Sequence, residues 1–69
     1  MTKVESAVQA TDIAVEFLKR HFPIFHRPLK AGREQGAWVV EVDVGPFLVK
    51  VARVSIDAET GDITSYEIP

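Results

Sequence analysis

The side chains best equipped for chemistry here are two histidines, an acidic loop at residues 57–62, and five cations between positions 19 and 33. His21 and His26 flank Pro23 at a spacing of five, whereas two imidazoles sharing a metal from one helix face sit four apart. A zinc site would need a carboxylate from elsewhere, with Glu34 and Glu41 as the candidates. The simpler reading is a pair of ordinary histidines beside a helix end, where a cationic ring complements the carbonyl-rich terminus. Asp57, Glu59 and Asp62 around Gly61 invite a calcium reading. The ligand order of an EF-hand loop and its closing bidentate glutamate are missing, and a hairpin turn of Asp, Glu, Thr and Gly needs no metal. No metal and no other cofactor is expected.

Catalysis has little to stand on. The chain has no cysteine, which excludes thiolate nucleophiles, thiolate zinc sites and disulfides. Ser6, Ser55 and Ser65 lie in helix or strand patterns with no nucleophile elbow around them. Glu41 and Asp43 alternate onto the solvent side of a strand pattern, where ordinary pKa values are expected. No glycine-rich phosphate loop is present. The expectation is a protein that is not an enzyme. Lys19, Arg20, Arg27, Lys30 and Arg33 have no acid among them and form a candidate anion-binding run, with Phe25 and Trp38 as conceivable stacking faces. Against this, the net charge is −2, the helix dipole already accounts for Lys19 and Arg20, and Trp38 fits an inward strand position. Nucleic acid is therefore not an expected partner. A small anion- or nucleic-acid-binding domain stands as the alternative reading.

The elements that must position these groups are one helix and a sheet. Thr2 and Glu5 fit a capping box and Pro23 forbids continuation, so the pattern predicts a helix over residues 2–22. Val4, Ala7, Val8, Thr11, Val15, Leu18 and Phe22 form its apolar stripe, with Glu5, Gln9, Asp12, Glu16, Lys19 and Arg20 opposite. Ile13 and Phe17 fall on the flank beside Ala10 and Ala14. That arc is broader than a flat sheet requires, and implies a curved sheet or a second contact. Residues 29–34 read as a short first strand, and Gln35-Gly36 as a turn. Trp38, Val40, Val42 and Val44 then alternate inward against Val39, Glu41 and Asp43. Residues 47–57 read as a long strand whose phase changes near Ala52-Arg53, the mark of a β-bulge. Gly61 closes a hairpin in a left-handed conformation, and residues 62–68 form the last strand.

A chain of 69 residues, 46% hydrophobic and 26% charged, makes one globular domain over residues 1–69. No apolar stretch is long enough to span a bilayer, and no membrane partner is expected. The opening Met1-Thr2-Lys3-Val4-Glu5 lacks the pattern of a signal peptide, so a complete chain is expected in the cytoplasm. Charge is polarised: residues 54–69 carry Asp57, Glu59, Asp62 and Glu67 with no Lys or Arg.

The order of these elements, and above all the string Val54-Ser55-Ile56-Asp57-Ala58-Glu59-Thr60-Gly61-Asp62-Ile63, resembles the signature hairpin of PepSY domains. The layout is also similar to cystatin-like folds. That resemblance implies a helix gripped by a bent antiparallel sheet, a peptidase-regulatory or other protein-binding role, and no catalytic residues. The fold expected is α+β, one N-terminal amphipathic helix on a curved antiparallel sheet of three to four strands. The function expected is a non-enzymatic module that binds a protein or peptide through a sheet edge or face. Ile13, Phe17 and Val39 are the candidate partner-binding residues, and a homodimer through such surfaces is the related expectation.

Overall fold

The helix begins where side chains can satisfy its first free amides. In the computed structural model, which describes residues 3–69, Ser6 is the N-cap of α1 (Ala7–Leu18). Its hydroxyl accepts from Gln9 N–H at 3.2 Å, while the Gln9 side chain accepts from Ser6 N–H at 3.1 Å. This is a capping box, set four residues later than the expected one; Thr2 lies outside the described residues. The final turn expected up to Phe22 unwinds after Leu18. Phe22 N–H still donates to the Leu18 carbonyl at 2.8 Å before Pro23 ends the run.

The start of the chain explains a second correction. Val4 is not helical. It lies in an extended lead-in whose N–H donates to the Ala58 carbonyl at 2.7 Å and whose carbonyl accepts from Trp38 Nε1 at 3.0 Å. Released from Val4, the helix turns its Ala10–Ala14–Leu18 row into the core, with Ile13 and Phe17 packed beside it. Val8, assigned to the buried stripe, is 71% exposed. Two alanines on the contact face let the helix backbone approach the sheet closely, so the smallest apolar residues, rather than the valines, take the buried side.

The sheet is an antiparallel meander of four strands in the order β1-β2-β3-β4. They are β1 (Arg27–Glu34), β2 (Ala37–Asp43), β3 (Val51–Asp57) and β4 (Ile63–Glu67). The inner face buries Trp38, Val40 and Val42 from β2 against Ala52, Val54 and Ile56 from β3. Pairing of β2 with β3 runs without interruption from Ala37↔Asp57 to Asp43↔Val51. The bulge expected near Ala52-Arg53 is therefore absent from that ladder. The phase change has another origin: Phe47 and Val49 belong to an exposed loop and not to the strand. Register breaks do occur in the two edge strands, between Pro28 and Lys30 in β1 and where β4 meets Ser55 and Ile56. Gly36 and Gly61 take the positive φ that their hairpins require, 79° and 80°. The fold is α+β, with α1 lying over β1 and β2 and reaching only part of β3.

Candidate functional site

Because α1 covers one half of the inner face, the β4 half is left open. Register places Ile63 opposite Ile56 and Tyr66 opposite Val54, so both belong to the inner face. Between Ile63 and the helix runs a cleft of about 570 Å³, lined by Ile13 and Phe17 from α1 and by Ile63 from β4. Phe17 stands at its wall with ring centroids 4.9 Å from Tyr66 and 5.2 Å from His21. His21 in turn stacks towards Tyr66 at 6.2 Å. Tyr66 remains 51% exposed. The rim is charged, with Asp12 and Glu16 along one part and Lys19 and Arg20 along another. Lys19 Nζ lies 3.4 Å from Glu16 Oε1. Alongside runs the outer edge of β4, which no strand among the described residues pairs.

A second organised feature sits at the other end of the sheet, and it corrects the expectation for Asp43. Its side chain is 3% exposed rather than facing solvent. Oδ1 accepts from Gly45 N–H at 3.0 Å and from Lys50 N–H at 3.1 Å, while Oδ2 accepts from Arg27 Nη2 at 3.2 Å. The two backbone donors, helped by the guanidinium and opposed by burial, hold the carboxyl below the usual aspartate range. Asp43 thereby ties the neck of the loop joining β2 to β3. A Cβ on Gly45 would collide with the Leu48 carbonyl, so only glycine permits this return of the chain.

The other expected residues do not assemble with the cleft. Val39 is half-buried on the outer face between Gly32 and Ser55, away from Ile13 and Phe17. The five cations are dispersed: Lys30 pairs in register with outward Glu41, whereas Arg33 lies on the inner side with its guanidinium 5.6 Å from the Trp38 ring centroid. Arg27 is engaged by Asp43 and Lys19 by Glu16. His21 stacks in the aromatic group, and His26 Nε2 is enclosed without a hydrogen-bond partner among the described residues. In the 57–62 loop, Asp57 Oδ1 accepts from Glu59 N–H at 2.8 Å and Thr60 N–H at 3.2 Å, and Thr60 Oγ1 accepts from Asp62 N–H at 3.2 Å. Among the described residues no three metal-ligating side chains gather, and no helix is long and apolar enough to cross a membrane.

Sequence reasoning missed Ile63, Tyr66 and Asp43. An Asp two residues before a glycine is a recognisable Asx-turn signal, and it was outweighed by strand alternation. Ile63 and Tyr66 carry no such signal, since a bulge breaks the period of two between them. Compared with known protein families, curated proteins and solved structures, the chain matches none of them. The fold and the site therefore define the class: a small α+β domain whose helix leaves one sheet edge and its apolar flank uncovered.

Proposed function

We propose that this domain is a non-enzymatic, PepSY-like interaction module that accepts an extended peptide segment of a partner protein as a fifth strand on β4. The observation that carries the reading is the adjacency of a strand edge left unpaired among the described residues to a cleft whose apolar walls are Ile13, Phe17 and Ile63, with Tyr66 packed on Phe17. Backbone pairing with β4 would supply affinity, and alternate side chains entering the cleft would supply selectivity. The opposite edge is less suited. β1 contains Pro28, Lys30 and Arg33, the residue types that blunt an edge against pairing. β4 has neither proline nor lysine, and only the register break beside Ile63 disturbs it. The anion-binding alternative finds less support, because three of its five cations are already engaged by Glu16, Asp43 or Trp38.

Panning a random peptide library over the immobilised protein, with Phe17→Glu as the counter-target, tests the proposal. Phe17 is only half-buried, so the variant is expected to fold, as circular dichroism would verify. The wild type should enrich peptides with alternating apolar residues that the variant does not retain. No enrichment, or equal enrichment on both proteins, would overturn the reading.

A further inference from the structure

The molecule ends in an apolar tip that neither the cleft nor the core uses. In the loop joining β2 to β3, Phe47 is 96% exposed, and Leu48 and Val49 beside it are also largely bare. Ile24, 86% exposed, belongs to the neighbouring segment that lines a small hollow together with Pro46. Large side chains this exposed touch almost nothing of their own chain, and a cluster of them marks an interaction surface. The loop is not slack. Asp43 grips both strands of its neck, Val44 N–H donates to the Lys50 carbonyl at 2.8 Å, and Gly45 lets the chain fold back.

The charge around this tip says what it meets. Lys50 stands exposed at the neck, where Arg27 is paired with the buried Asp43 and so leaves that pair neutral. The opposite end of the sheet is acidic. Ala58 N–H bonds the Gly36 carbonyl at 2.9 Å, so the turn after Glu34 meets the loop that carries Asp57, Glu59 and Asp62, with Arg33 the cation beside Trp38 at that end. We infer that the tip docks on an anionic bilayer surface, with Phe47, Leu48, Val49 and Ile24 dipping below the headgroups while Lys50 meets a lipid phosphate. An apolar apex above a cationic base follows the depth profile of such an interface. The sequence-based expectation of no membrane partner rested on spanning length, which a loop that enters only the interface does not need. A second copy meeting tip to tip would oppose like charges, which disfavours that occupant. The inference stands apart from the peptide proposal, since Ile63 lies at the Trp38 end of the sheet and this loop at the Asp43 end.

Co-sedimentation with phosphatidylcholine vesicles, with and without phosphatidylglycerol, tests it. Binding is expected to the anionic vesicles and to weaken as salt is raised. The double variant Phe47→Ser/Leu48→Ser, which alters only exposed side chains, should fold normally and lose about tenfold or more in partitioning. Lys50→Gln should lose about fivefold. Absence of binding to anionic vesicles would overturn the inference, as would binding that the double variant retains. Self-association without lipid that the double variant abolishes would also overturn it, by assigning the tip to a second copy.

Discussion

A buried carboxylate that receives two backbone amides and a guanidinium is held ionised, and at Asp43 those same bonds close a loop. Its folded pKa is lowered from 3.8, so its stabilising effect is fully present above that value. The effect is lost as pH falls below 3.8 through the folded pKa. Asp43→Asn should therefore lower the urea midpoint at neutral pH and flatten the acid limb of a stability–pH profile. An unchanged neutral midpoint would contradict the role given to it. Gly61, at φ 80°, is a position where Gly61→Val should cost about 1–2 kcal/mol through left-handed strain, read by chemical denaturation. The glycine was legible because a Thr-Gly pair between two strand patterns has few other uses. Asp43 was not, because alternation describes a strand's interior and fails at its last residue, where the chain begins to turn.

At the level of elements, burial of Leu18 beneath α1 joins the helix to the sheet. Leu18→Ala should cost about 2–5 kcal/mol, a large share of the stability of so small a domain. Ser6→Ala should cost about 1 kcal/mol by removing the cap; a loss confined to helix content, with Leu18 still protected from exchange, is the expected signature. The existence of the helix, the β2 pattern and both hairpin turns could be read from spacing alone. The helix face could not. Val4 and Val8 dominate any hydrophobic periodicity over the first turns, yet Val4 belongs to a lead-in pinned by Ala58 and Trp38. Those partners lie dozens of residues away, so tertiary contact overrode the local pattern. The start of β3 was misplaced for a related reason: Phe47, Leu48 and Val49 have strong strand propensity but project from a loop necked by Asp43.

For the whole molecule, the off-centre helix divides the surface into parts of different character. The outer face carries an alternating row in which Arg53 lies 3.2 Å from Glu41 and 3.9 Å from Glu67. Such exposed pairs are individually weak, and they give that face a solvated character. Val39→Glu on it is expected to leave peptide binding unchanged, whereas Phe17→Glu should abolish it. The candidate site was half legible: periodicity put Ile13 and Phe17 on the helix flank, but their partners Ile63 and Tyr66 are defined only by sheet register. The most direct test of the account is chemical-shift mapping on the isotope-labelled protein as a library-selected peptide is titrated in. The account predicts saturable shifts concentrated in β4 and around Ile13 and Phe17, with the outward amides of β4 becoming protected from exchange. Saturable shifts centred instead on Val39 and Ser55, or on β1, would contradict it.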